Sequence, residues 1–454
     1  MSTEVDVVVI GLGPGGESLA TQLVEAGLEV VGVDKHLVGG ECPYYGCIPS
    51  KMMVRAADVL AEGRRIPALA GTSAVTADWT PVSKRIAEEA TDHWNDQVAV
   101  DRLEGAGVRF VRGAGRLDGA RTVVVGDETF TARKGVVLNT GTEPGVPPID
   151  GLADTPYWTN RDAVQLTDLP GSLIVIGGGP IGAEMAQAFS RFGVAVTVIE
   201  VAPRILGPEE PEAAKLLGEV FAREGIQVLT GVTISEISYA DGHFSVALGD
   251  QTLTADKLLV AAGRKPNLPD LGLDTVGLDP SARSVETDDH LRAGDGLWAV
   301  GDITGKGAYT HMSMYQAAIV VRDILGQDGP AADYRAVPRI TFTDPEVGSV
   351  GMSEKQAREA RLNVRVGITD LSASARGWIH AEGNEGFIKV IEDADRGVLV
   401  GACVAGPSGG EVLSALAVAV HAEVPTSRLL SMIYAYPTFH RAIEEALKAL
   451  AADD

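Results

Sequence analysis

Two ten-residue stretches of this chain repeat one another. Val7-Val8-Val9-Ile10-Gly11-Leu12-Gly13-Pro14-Gly15-Gly16 is matched by Leu173-Ile174-Val175-Ile176-Gly177-Gly178-Gly179-Pro180-Ile181-Gly182. Each is a β-branched run, a GxGxxG turn and then a stretch with the Ala and Leu of a helix. Each continues to a second apolar strand ending in an acid, Val30 to Asp34 and Val196 to Glu200. In both copies the acid lies 23 residues beyond the first glycine, from 11 to 34 and from 177 to 200. A lone GxGxxG says little. Strand, tight turn, helix, strand and acid together are the full context of a dinucleotide-binding unit. Gly11 and Gly177 serve the turn, Gly13 and Gly179 let backbone approach a pyrophosphate, and Gly16 and Gly182 let helix pack on strand. Asp34 and Glu200 are placed to accept from ribose hydroxyls.

A chain of 454 residues exceeds one ordinary core, so several domains are expected. The formal charge of −24 excludes phosphate-backbone binding as the main business of the surface. No run reaches the roughly 18 apolar residues of a membrane span. The start, Met1-Ser2-Thr3-Glu4-Val5-Asp6, carries acids where a signal peptide carries Lys or Arg, which predicts a cytoplasmic protein.

Two of the three cysteines, Cys42 and Cys47, lie with four residues between them just after the first repeat. In a reducing compartment such a pair reads as catalytic rather than structural. A zinc site lacks the further ligands, and no metal site is expected. Cys403, in the apolar segment Val398 to Ala405, reads as a core thiol. Because the cysteine loop follows the first unit directly, that unit is expected to hold a flavin, FAD, and the second a nicotinamide nucleotide. Two further strand-to-turn segments, Gly135 to Thr142 and Lys257 to Asn267, follow the units, and Gly296 to Gly305 forms a third. Asp302 in the last is a candidate acceptor for a ribityl hydroxyl. From Val337 onward, short alternating strands and helices without a phosphate loop read as an α+β terminal domain.

Taken together, these motifs resemble the class I flavoprotein disulfide reductases: dihydrolipoamide dehydrogenase, glutathione and mycothione reductases, and mercuric reductase. The motifs are both fingerprints, Cys42 and Cys47 with Pro49-Ser50-Lys51, Asn139-Thr140-Gly141, Gly263-Arg264-Lys265-Pro266-Asn267 and Gly301-Asp302. The resemblance implies an α/β fold with two Rossmann-like domains of the three-layer ββα type and an α+β C-terminal dimerisation domain. It divides the chain into 1–148 and 271–335 for FAD, 149–270 for NAD(P) and 336–454 for the interface. Gly40, Thr140, Gly141, Gly263, Arg264, Gly301 and Asp302 are then expected to join the fingerprint residues around the cofactors. The expected enzyme is a homodimer whose active site is shared between subunits. Electrons would pass from NAD(P)H through FAD to the Cys42–Cys47 disulfide and on to a small acceptor, a disulfide, a quinone or a metal ion. The resemblance assigns Cys47 to the flavin side and Cys42 to exchange with substrate. It pairs Lys51, beside the flavin, with Glu184.

The chain also departs from that pattern. Disulfide-reducing members carry a C-terminal His-Pro whose histidine is the acid–base, with a glutamate five residues later. Here those positions are Tyr436 and Arg441. A phenol of pKa near 10 is a poor base at neutral pH. His440 is the replacement candidate, on a helix expected to begin at Pro437 and therefore one turn from Tyr436. The redox loop has Glu41 where Thr is usual, and Pro43, Tyr44 and Tyr45 between the cysteines. The adjacent carboxylate is expected to disfavour a Cys42 thiolate, and the tyrosines to restrict bulky disulfides. The chain lacks the C-terminal cysteine pair of mercuric reductases, so dedicated mercury reduction is not expected. A diaphorase or quinone reductase with a bystander disulfide is the alternative, as is non-disulfide chemistry of the coenzyme M reductase/carboxylase branch. Glu200 favours NAD(H) over NADP(H), whereas Arg204 is a possible 2′-phosphate ligand.

Overall fold

A computed structural model describes residues 2–450. The chain divides into two compact units, each assembled from three stretches of sequence.

The first unit comprises Met1–Pro49, Lys84–Gly145 and Arg264–Asp333. Its sheet runs in the order Arg292–Gly294, Leu297–Ala299, Glu128–Leu138, Ser2–Ile10, Val30–Asp34, Arg109–Arg112. The neighbours from Leu297–Ala299 onward pair in parallel. The near-continuous Val/Ile runs explain this: both faces of a parallel sheet are covered, so alternation is lost. Val7 and Val9 pack on one face with Leu19 and Leu23 of the helix Pro14–Glu25, while Val8 and Ile10 pack on the other with Phe130 and Leu117. Register decides where the site falls. Ile10 aligns with both Val33 and Leu138, and Leu138 with Ala299. Gly11, Asp34, Asn139 and Gly301 therefore leave the sheet at the same edge, the carboxyl ends where α/β proteins bind ligands.

The second unit comprises Ser50–Ser83, Val146–Gly263 and Tyr334–Asp454. Its parallel sheet, ordered Gln227–Thr230, Ala195–Glu200, Ser172–Ile176, Lys257–Val260, repeats the same logic. Ile176 aligns with Ile199 and Val260, which brings Gly177, Glu200 and Ala261 to one edge. Helix Pro180–Arg191 follows the glycine turn with Pro in its first turn, a position that needs no N–H. A separate antiparallel sheet, ordered Pro338–Thr341, Glu346–Gly351, Val398–Gly406, Phe387–Asp393, Val364–Asp370, is covered by helices Gly409–His421 and Ala442–Ala449. Cys403 lies buried in it.

The last helix does not begin at Pro437, as the spacing suggested, but at Ala442. The Thr438 hydroxyl donates to the Ala435 carbonyl at 2.8 Å and accepts the Arg441 N–H at 3.1 Å. This closes a turn, the conformation that short hydroxyl side chains favour over a helix interior. Tyr436 and His440 are therefore not one helical turn apart. Among the described residues no helix is long and apolar enough to cross a membrane.

Candidate active site

The two glycine loops have the same internal construction. A Cβ on Gly11 would meet the Asn139 carbonyl oxygen at 2.3 Å, and one on Gly177 the Ala261 oxygen at the same distance. A Cβ on Gly16 would lie 2.1 Å from Gly11 O, and one on Gly182 1.9 Å from Gly177 O. The middle glycines differ: nothing lies within 4 Å of a Gly179 Cβ, and only Asn139 Nδ2, at 3.5 Å, near that of Gly13. First and third glycines are thus filled by the protein's own backbone, while the middle ones leave the approach open. That is the cradle a pyrophosphate requires at a helix N-terminus.

The acids are held alike. Asp34 accepts the Leu12 and His36 N–H groups, both at 2.7 Å. Glu200 accepts those of Gly178 at 2.7 Å and Ala202 at 2.8 Å. Arg204 is occupied differently, donating to the carbonyls of Gly207 and Glu209 at 2.8 and 2.9 Å.

At the carboxyl edge of the first sheet, Asn139 Nδ2 donates to Gly11 O and Asn139 Oδ1 accepts from Ser313 Oγ. Thr140 Oγ1 donates to the Asn267 carbonyl at 2.9 Å, and the Asn267 N–H to Gly141 O at 3.0 Å. Gly301 N–H donates to Gln316 Oε1 at 2.6 Å. Gly40, at φ +68°, would with a Cβ reach Gly13 Cα at 3.0 Å, so the redox loop rests directly on the fingerprint. Gly263, at φ +115°, precedes Arg264. Arg264 donates to Thr142 Oγ1 at 2.6 Å and to the Thr142 carbonyl at 2.7 Å, and Thr142 Oγ1 donates to Asp302 Oδ2 at 2.6 Å.

Cys42 and Cys47 stand as a dithiol, Cys42 half-buried and Cys47 exposed. The hydrogen bond from Cys42 to Cys47, reinforced by burial, pushes the Cys42 thiol well above its ordinary range, while Thr310 pulls the other way. The expected cause was the Glu41 carboxylate. It instead faces the Arg264 guanidinium at 3.4 Å, which offsets its charge. Thr310, which no sequence motif marked, places its hydroxyl 3.4 Å from Cys47 Sγ.

In the second unit Lys51 Nζ meets Glu184 Oε2 at 2.6 Å. Phe342 supports both: its N–H donates to Glu184 Oε1 at 2.9 Å, and Lys51 Nζ lies 4.7 Å from its ring centroid. Near the C-terminus, Tyr436 is 71% exposed with Arg441 over its ring at 5.7 Å, and His440 packs against Tyr434 at 5.2 Å. The carboxylates Glu210, Glu212 and Glu354 converge, but on Lys389 Nζ, each at 2.8 Å. The ammonium group occupies that cluster. Burial raises the Cys403 thiol to about 12, which suits an inert core residue.

Residues 5–319 match the family described as pyridine nucleotide-disulphide oxidoreductase, and residues 337–447 match its dimerisation domain. The chain belongs to the class I pyridine nucleotide–disulfide oxidoreductases. Among its relatives is a mercuric reductase of Acidithiobacillus ferrooxidans, 31% identical over 99% of this chain and 83% of that protein. Another is a dihydrolipoyl dehydrogenase of Chlorobaculum tepidum, 32% identical over 98% and 97%. Among solved structures, a Cu(II) complex of the HOCl-induced flavoprotein disulfide reductase RclA of Escherichia coli superposes with a TM-score of 0.87 at 26% identity, covering 98% of this chain and 99% of that one. LpdA of Mycobacterium tuberculosis gives 0.87 at 26% identity, over 98% and 100%. This oxidoreductase is thus an enzyme of an FAD-dependent family with both Rossmann-type units and the terminal sheet in place.

Proposed function

We propose that this oxidoreductase uses NADH, in preference to NADPH, to reduce the Cys42–Cys47 disulfide, which then reduces a small acceptor: a disulfide, a quinone or a metal ion. One observation carries the reading. In a scaffold with two open glycine cradles, the cysteine pair rests on the first cradle through Gly40 and Gly13.

FAD, when bound, supplies two-electron transfer between nicotinamide and disulfide. The Gly11–Gly16 loop and Asp34 are the residues that would hold its adenosine and pyrophosphate, and Asp302 its ribityl chain. Gly177–Gly182 and Glu200 would hold the nicotinamide nucleotide. Lys51 offers a positive charge at the end of a flexible side chain that the Glu184 carboxylate, 2.6 Å away, holds in place. The overall step balances: the hydride of NADH and the disulfide give NAD⁺, one thiol and one thiolate. Raising of the Cys42 thiol makes it the protonated partner. Exchange with an acceptor then requires Cys42 to lose its proton, and Tyr436 offers no ready base near neutrality. That disfavours acceptors whose reduction depends on a general base to draw the proton from Cys42. We also propose a homodimer, on the strength of the dimerisation-domain match.

A second reading makes the dithiol a bystander in a diaphorase, and the Tyr436 and Arg441 replacements favour it. Anaerobic titration separates the two. The relay takes up four electrons with a long-wavelength thiolate band; the diaphorase takes up two. Unchanged turnover of Cys47→Ser on NADH with every acceptor in a panel of disulfides, quinones and metal ions would sink the relay.

A further inference from the structure

We infer that Trp94 is a positioning residue of this enzyme: its indole N–H ties down the Tyr44 carbonyl, inside the loop between Cys42 and Cys47, and keeps the reduced pair ready to re-form its disulfide. The inference rests on the proposal that Cys42 and Cys47 are the redox couple.

Trp94 Nε1 donates to the Tyr44 carbonyl at 3.1 Å, within the first unit. Tyr44 ends the one-turn helix Glu41–Tyr44 that carries Cys42, so its carbonyl has no partner inside that helix. The indole is presented by an unusual piece of chain. Asp92, His93 and Trp94 are all left-handed, at φ +45°, +55° and +58°. None is glycine, so three in succession store backbone strain that the surroundings must hold. Thr91 supplies much of the hold: its Oγ1 donates to the Ile86 and Ala87 carbonyls at 3.0 and 3.2 Å, in the π-helix Ile86–Ala90. The His93 N–H donates to the Ala87 carbonyl at 2.6 Å. Just beyond the turn, Asp96 Oδ2 accepts the Val38 N–H at 2.7 Å and also meets Arg112. The strained segment thus grips the redox loop on both sides of Cys42, at Val38 and at Tyr44.

The chemistry of the pair needs such a grip. Reduction breaks the S–S bond and so removes the cross-link from the loop. Closing the reduced pair joins the two sulfurs again, hands two electrons to the acceptor and gives up the Cys42 proton. A loop without a tether gains freedom while reduced, and closure must then remove that freedom. The indole removes it beforehand, so each sulfur keeps a high effective concentration toward the other. Strain in the Asp92–Trp94 turn is the backbone's share of this preorganisation.

Trp94→Phe keeps an aromatic ring and removes the donor. The FAD-containing protein, anaerobic and without NADH, is equilibrated in mixtures of reduced and oxidised glutathione and quenched with iodoacetamide. The fraction with a Cys42–Cys47 disulfide is then read by mass spectrometry; each disulfide formed converts one glutathione disulfide to two thiols. Trp94→Phe lowers the equilibrium constant for disulfide formation about three- to tenfold, the worth of one hydrogen bond. Trp79→Phe is the control. It removes a like indole bond, to the Leu166 carbonyl at 2.8 Å in the second unit, and leaves the constant within about twofold. If Trp94→Phe does not fold, Thr91→Val, which loosens the turn and leaves the indole, is read the same way. A Trp94→Phe constant equal to the native one, or an equal fall in Trp79→Phe, overturns the positioning role and leaves the relay standing. A native pair that stays reduced even in glutathione disulfide alone overturns the relay itself, and the inference with it.

Discussion

Glu184 Oε2 lies 2.6 Å from Lys51 Nζ while its Oε1 accepts the Phe342 N–H at 2.9 Å. A single carboxylate, 5% exposed, thus fixes both a cation and a strand end. Glu184→Gln keeps an oxygen for Phe342 but removes the charge opposite Lys51. A lost charge-assisted hydrogen bond of about 1.5–3 kcal/mol corresponds to roughly 10- to 100-fold in rate if the cation acts in the transition state. Turnover with NADH should fall by that factor while the melting temperature changes little. Glu184→Ala also strands the Phe342 N–H, so it should lose stability as well as rate. Equal turnover for Glu184→Gln and native protein would show that Lys51 does not need its partner.

Nucleotide choice turns on Glu200 and Arg204. Glu200 is presented by two backbone N–H groups, whereas the Arg204 guanidinium is already committed to the Gly207 and Glu209 carbonyls. Removing the charge of Glu200, which repels a 2′-phosphate, should raise the NADPH-to-NADH ratio of kcat/KM about tenfold in Glu200→Gln, an effect of ~1.4 kcal/mol. Arg204→Ala should leave that ratio within about twofold. A collapse of NADPH turnover in Arg204→Ala would show instead that the arginine swings to the phosphate.

The parts of the site that could be read from the chain alone are those whose requirements are local. A backbone oxygen about 2 Å from a would-be Cβ demands glycine whatever surrounds it, so Gly16 and Gly182 announce themselves. The pairing of Lys51 with Glu184 spans 133 residues and came only from the family resemblance. Thr310 had no such pointer, since a threonine at a helix start is ordinarily unremarked. Glu41 misled because charge is a property of neighbourhoods: its carboxylate sits against Arg264, which is distant in sequence. The helix drawn from Pro437 failed because Thr438 closes a turn with its own hydroxyl.

A partly buried ion cluster in the second unit should tie stability to pH. The Arg191 side chain, 3% exposed, meets Asp58 and Glu224 at 2.7 Å and Asp344 at 2.8 Å, and Arg65 also binds Asp344 at 2.7 Å. Three carboxylates share two guanidinium groups. Burial raises Asp58 to about 6, Arg191 and Arg55 oppose this, and Asp344 and Glu346 add to it. An acid whose folded pKa exceeds its unfolded value of about 3.9 binds its proton more tightly when folded, so its ionisation weakens the fold as pH rises from about 4 to 6. Asp58→Asn should therefore melt roughly 1–3 °C above the native protein at pH 7.5, with the gap closing near pH 4. A variant less stable than native at pH 7.5 would show that the Arg191 contact outweighs the burial of charge.

The missing acid–base offers the last test. Restoring the usual histidine by Tyr436→His would place an imidazole where the Arg441 guanidinium now lies over the Tyr436 ring at 5.7 Å. A nearby cation disfavours the imidazolium and lowers its pKa, which handicaps a group that must take up a proton during turnover. Arg441 is already paired with Glu444, three residues further on, at 3.2 Å, but that contact screens its charge only in part. Tyr436→His alone should raise dihydrolipoamide turnover modestly. Tyr436→His with Arg441→Glu should raise it further, by about tenfold over the single variant, because a carboxylate now favours the protonated ring. The pH–rate profile should shift in parallel, its acidic limb moving upward by roughly one unit in the double variant. If single and double variants match within twofold at every pH, Arg441 is not what withholds thiol chemistry from this enzyme, and the redox loop with Pro43, Tyr44 and Tyr45 becomes the place to look.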